Sequence, residues 1–109
     1  MLLQNFKGNC NGGPASDKAN FALWLQELSD AFKPKGLLLS AAVGAGKSVV
    51  DNAYDIPSLS KYLDFINVMT YDFHGSWEKQ TGHHSPLYKF PGDTDSNRNS
   101  VKAQKIDFH

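Results

Sequence analysis

The sequence has little of what usually places a protein quickly. Its 109 residues include one cysteine, Cys10, which excludes an internal disulfide and a zinc ribbon and leaves the redox compartment open. Charge of one sign is also lacking. Lys plus Arg and Asp plus Glu number 11 each, a balance that argues against a basic phosphate-tracking face, so no nucleic-acid partner is expected. No long hydrophobic run occurs: Leu37 to Val43 is broken by Ser40 and is far too short to cross a bilayer, so no membrane association is expected. The segment Met1 to Lys7 lacks a charged start followed by an apolar core and does not read as a signal peptide. There is no Asn-x-Ser/Thr sequon and no internal repeat.

What is present is a folded chain, 40% hydrophobic and 12% aromatic, which is outside the range of disordered sequences. Residues 1–16, rich in Asn and Gly, read as an irregular segment. A helix is expected over 17–33, capped by Ser16 or Asp17, with Phe21, Leu25, Leu28 and Phe32 on one face and Trp24 and Ala31 widening it. Asn20, Gln26, Glu27 and Asp30 fall on the wet side, and Pro34 and Gly36 end the helix. A buried strand is expected over Gly36–Val43, then a glycine-containing loop over Gly44–Asp51 and a short helix capped by Asp55 that runs through Pro57, Leu59, Tyr62 and Leu63. A second strand, Phe65–Tyr71, is apolar on both alternating faces and so suits a parallel sheet covered by helices. Helix, strand, helix, strand predicts an α/β fold with parallel pairing. Two strands and two helices do not close such a fold, so the chain reads as a slice of a larger one. Residues 93–109 form a polar tail expected to be disordered, with at most a helical turn over Val101–Phe108.

Several motifs invite chemistry. Ala41 to Ser48 superficially fits a phosphate-binding loop, with Gly46-Lys47-Ser48 after an apolar strand. That chemistry needs a long helix starting at the lysine, whose N-terminus faces the anion. Pro57 limits such a helix to about two turns and Ala41 stands where the first glycine belongs, so no nucleotide is expected. His74, His83, His84 and His109 suggest a metal, yet the adjacent His83 and His84 diverge in an extended loop, and no carboxylate pair is spaced to complete a site. They read as polar loop residues, and no metal is expected. Ser76 beside His74 lacks the strand-turn-helix elbow of a nucleophilic serine.

The segment Phe65 to Glu78 is the most informative. A parallel strand ends there in Tyr71, Asp72 and Trp77, and ligands of such sheets sit beyond the carboxyl ends of the strands. One reading has Tyr71 packing and Asp72 capping the next loop. The other is a sugar cleft, in which an aromatic face packs on a pyranose while acid and phenol bond its hydroxyl or amide groups.

Asp17-Lys18-Ala19-Asn20-Phe21, Leu37 to Val43, Tyr62 to Glu78 and Thr81 to Tyr88 resemble chitinases and chitinase-like lectins of glycoside hydrolase family 18 in animals, with an arthropod cast. The resemblance runs from about Gly12 to about Asn97. It implies a fragment of a (β/α)8 TIM barrel, with residues 17–33 as the helix after the fourth strand, 37–43 as the fifth strand and 65–72 as the sixth; residues 17–92 would form this partial barrel. It also implies an extracellular setting, chitin or a chito-oligosaccharide as partner, and no cofactor.

In that family Tyr71 would bond the substrate's N-acetyl group and Asp72 the sugar hydroxyls near the scissile bond, while Met69 lines the pocket floor and Trp77 stacks on a sugar. These enzymes are substrate-assisted, the acetamide oxygen attacking the anomeric carbon. Their general acid closes an Asp-x-x-Asp-x-Asp-Trp-Glu signature, which this sequence does not contain. Loss of a positioned acid costs roughly 10²–10⁴ in rate, and Glu78 has no acid role in the family. The chain alone is therefore expected not to hydrolyse chitin; a non-catalytic chito-oligosaccharide binder is the alternative. Both strands would also carry unpaired edges.

Overall fold

In the computed structural model, residues 14–93 and 99 are described. The expectations for residues 1–13, for 94–98 and for 100–109, including the helical turn over 101–108 and His109, lie outside that set. The architecture is one helical layer on one face of a two-stranded parallel sheet.

Helix α1, Asp17–Phe32, buries Phe21, Leu25 and Ser29. Leu28, Trp24 and Phe32 pack more loosely against the same core. The expected stripe thus holds except at Ala31, which is exposed, while Ser29 lies inside it. The expected side-chain cap is absent: Ser16 already has helical backbone angles (φ −68°, ψ −18°) and its side chain makes no capping bond. A 3₁₀ turn, Lys33–Lys35, carries Pro34, and Gly36 at φ 67° closes the exit. Glycine suits this left-handed position because an L side chain would be strained there.

Strand β1 spans Ser40–Gly44, later than the expected Gly36–Val43. Leu37 is still tied to the helix exit by its amide, which donates to the Phe32 carbonyl at 3.2 Å. Leu37 and Leu38 are left exposed. The stretch expected as a loop, Gly44–Asp51, instead enters helix α2, Lys47–Ala53. Two contacts override the poor helix propensity of its Val49-Val50 pair. Val50 is buried in the core, and Lys47 pairs with Asp51 one turn on at 2.7 Å. Helix α3, Ile56–Tyr62, follows with Pro57 in its first turn. Asp55 precedes it but makes no side-chain cap; its carboxylate instead accepts from the Ser58 hydroxyl.

Strand β2, Phe65–Met69, pairs parallel with β1. Its ladder is preceded by a clamp in which the Asp64 carboxylate accepts from the Leu39 amide at 2.7 Å. In return, the Asp64 amide donates to the Leu39 carbonyl at 2.8 Å. Ala41 lies opposite Ile66 and Val43 opposite Val68, and these residues meet the helices. Full burial of side chains such as Leu25, Leu59 and Val43 is worth about 1.5–3 kcal/mol each. The opposite face carries the pairs Ser40–Phe65, Ala42–Asn67 and Gly44–Met69. On this face Phe65 and Asn67 are exposed, as the helices of the described residues cover only the other.

Tyr54 joins the layers. Its ring lies 6.1 Å from that of Phe21, and its buried hydroxyl accepts from the Gly44 amide at 3.1 Å. Gly44 is also closely packed: a Cβ there would stand 3.0 Å from a Val49 methyl, which would have to give by a few tenths of an ångström.

Candidate saccharide site

Met69 closes β2 on the face turned from the helices, opposite Gly44. The chain then leaves the sheet sharply, with the Thr70 amide donating to the Val68 carbonyl at 3.0 Å, and Tyr71 follows half exposed. Asp72 sits at φ 58°, a left-handed conformation that an L residue adopts at a cost and that Asp and Asn tolerate best. This twist separates the solvent-facing carboxylate of Asp72 from the next side chain, Phe73, which is buried against Ala45 and Val68. The His84 imidazole stands 4.0 Å from Asp72 with both side chains largely exposed, so solvent screens the pair.

The segment beyond folds back on the strand end. The Phe73 amide donates to the His84 carbonyl at 2.9 Å, and the Ser85 hydroxyl donates to the Thr70 carbonyl at 2.6 Å. Trp77 is 66% exposed, its indole lying so close over Gly75 that a Cβ there would be 2.2 Å from Cζ3. The four residues named from sequence therefore all fall at the carboxyl end of β2 or in its following turn. Tyr71, Asp72 and Trp77 are open to solvent among the described residues.

One residue departs from expectation. His74 is not a bare loop residue: its side chain is only 12% exposed and its Nδ1 lies 2.6 Å from Glu78 Oε2. Its Nε2 lies 3.2 Å from Asp93 Oδ1, close enough for an ion pair but not aligned as a hydrogen bond. The spacing of His74 and Glu78, four apart as on a helical turn, was the available signal, and a loop assignment hides it. His83 packs edge-on to Phe90 at 5.2 Å. A polar cleft of about 450 Å³ opens beside His74, lined also by Lys79, Thr81 and Phe90. Among the described residues no three His, Cys, Asp or Glu side chains form a group that could hold a metal, and no helix is long and apolar enough to cross a membrane.

The sequence profile of glycosyl hydrolases family 18 matches residues 5–107. The chain belongs to this family. The match extends past the Gly12–Asn97 stretch that carries the residue-by-residue resemblance. Probable chitinase 10 of Drosophila melanogaster is 56% identical over 84 residues, which span 77% of this chain and 4% of that protein. The Ostrinia furnacalis Group II chitinase catalytic domain 2 superimposes with a TM-score of 0.82 at 50% identity, covering 85% of this chain and 24% of that one. Human YKL-39, described as a pseudo-chitinase with retained chitooligosaccharide binding properties, superimposes with a TM-score of 0.73 at 41% identity over 82% of this chain and 28% of that one. This family-18 chain thus spans about a quarter of the structures it resembles and less of the first relative.

Proposed function

We propose that this chain is the part of a chitin-directed (β/α)8 barrel that supplies one wall of the sugar cleft. In this reading β1 and β2 are the fifth and sixth barrel strands and α1 is the helix after the fourth, so that residues 17–92 form the barrel segment. The parallel β1–β2 pair, joined by a helical crossover through α2 and α3, supports that placement, since this unit is the one such a barrel repeats. The activity of the whole is hydrolysis of β-1,4-linked N-acetylglucosamine polymers in an extracellular setting. Tyr71 holds the acetamide whose oxygen attacks the anomeric carbon, Asp72 bonds sugar hydroxyls, Met69 floors the pocket and Trp77 stacks on a ring.

The observation that carries this reading is the outward display of phenol, carboxylate and indole just past the end of β2 while Phe73 between them is buried. An indole face beside a phenol and a carboxylate is the combination that packs on a pyranose while bonding its polar groups. Cleavage is another matter. The family's Asp-x-x-Asp-x-Asp-Trp-Glu signature does not occur in these 109 residues, and the Glu78 carboxylate is engaged by His74. This chain by itself binds chito-oligosaccharide and does not hydrolyse it. The second reading, a non-catalytic binder throughout, is favoured by the likeness to YKL-39 and uses the same contacts.

Calorimetric titration of the full chain with chitotriose tests the proposal. Saturable binding is expected, weakened at least about tenfold by Trp77→Ala, the change that about 1.4 kcal/mol of lost stacking and burial gives. Absence of saturable binding, or equal affinity in the variant, refutes it. Chitobiose release abolished by Glu78→Gln would overturn the assignment of binding without cleavage.

A further inference from the structure

The turn that displays Trp77 is held from beneath by a side chain that no part of the saccharide reading uses. Glu78 returns its amide to the Gly75 carbonyl at 3.1 Å, closing the turn Gly75-Ser76-Trp77-Glu78. His74, just before that turn, reaches across to Glu78 with Nδ1 at 2.6 Å. An ionised carboxylate only accepts, so with Glu78 ionised this bond uses the tautomer in which Nδ1 donates. The backbone turn and the His74–Glu78 bond together close a ring that contains Trp77. On its other edge His74 faces Asp93 Oδ1 at 3.2 Å, and the ring packs flush on Gly82, where a Cβ would stand 2.5 Å from its Cγ. The imidazole is therefore fixed on several sides, while Trp77 on the outside of the same turn is exposed.

We infer that His74 is a positioning residue for Trp77: it bonds Glu78, is braced by Asp93 and Gly82, and presents the indole in one orientation toward a saccharide. This rests on the saccharide reading of Trp77 given above and adds the device that aims it. Display without a clamp would leave the turn free to fold its indole onto nearby apolar surface, and ordering it at each binding event would weaken affinity.

The test is ¹⁹F NMR of the full chain labelled with 5-fluorotryptophan. Trp24 and Trp77 are its two tryptophans, so two lines are expected, assigned by Trp77→Phe. Trp24 packs against the core and reports the fold, while Trp77 reports the turn. In His74→Ala the Trp77 line should move and narrow while the Trp24 line stays. His74→Asn, whose side-chain amide can replace the Nδ1 donor, should restore the Trp77 line. Chitotriose affinity should fall about two- to tenfold in His74→Ala, the range set by ordering one side chain on binding, and recover in His74→Asn. An unmoved Trp77 line overturns the inference. So does movement of both lines together, which would make His74 merely structural. If chitotriose shifts neither line in the unsubstituted chain, the saccharide reading fails, and the ¹⁹F response to His74→Ala still decides whether His74 fixes the indole.

Discussion

Removing one oxygen atom from Tyr54 should destabilise the fold out of proportion to its size. In Tyr54→Phe the ring remains, with its tilted packing 6.1 Å from Phe21, so no cavity opens in the core. What disappears is the acceptor for the Gly44 amide, now 3.1 Å from the hydroxyl. Tyr54 is only 2% exposed, so water cannot readily take its place. A buried donor left unpaired costs about 1–3 kcal/mol, which for a chain of this size lowers Tm by about 5–15 °C. Urea unfolding should show a lower midpoint with unchanged slope, because the surface exposed on unfolding is the same. Hydrogen exchange offers a local readout: the Gly44 amide should exchange faster by about ten- to a hundredfold, the ratio matching that loss. Tyr88→Phe, at a residue 68% exposed, is the control and should stay within about 0.5 kcal/mol of the parent. A Tyr54→Phe chain as stable as the parent, with Gly44 equally protected, refutes the reasoning.

Two further outcomes follow from the strand start and the indole. Asp64→Ala removes the carboxylate that accepts from Leu39 at 2.7 Å. It should cost about 1–2 kcal/mol, the lower part of the range for a charged acceptor since Asp64 is exposed, and Asp64→Asn, which keeps an acceptor, should recover most of that in a urea melt. Gly75→Ala places a Cβ 2.2 Å from Trp77 Cζ3, which only the exposed indole can relieve by swinging away. Stability should change by less than about 0.5 kcal/mol, while calorimetry shows weaker chitotriose binding.

The sequence made the order of elements legible because the long signals are physical. The stripe of Phe21 and Leu25 specifies α1, and the apolar run from Phe65 specifies β2. It misled where tertiary contacts decide. Leu37-Leu38 look like strand residues, yet the left-handed Gly36 and the Leu37 amide keep them at the helix exit. Gly44 to Ser48 look like a loop because glycine punctuates them, yet burial of Val50 draws the next residues into α2. At the site, Tyr71, Asp72 and Trp77 could be named because their chemistry is visible one residue at a time. The His74–Glu78 contact was missed although its four-residue spacing is visible, since that spacing brings two side chains together only where the chain turns, and the segment reads as a loop. Asp93 joins it from further along the chain, a meeting that only the folded loop brings about.

The left-handed backbone at Asp72 sets which replacements that position can accept. Most L residues would strain it by about 1–2 kcal/mol, whereas asparagine and glycine fit. An exchange of Asp72 for asparagine would therefore silence the carboxylate and leave the turn, the buried Phe73 and the displayed Trp77 in place. Charge and architecture are separable at this one position. A lineage carrying this turn could give up this one charged contact in a single substitution and keep the backbone that shapes the surface around it.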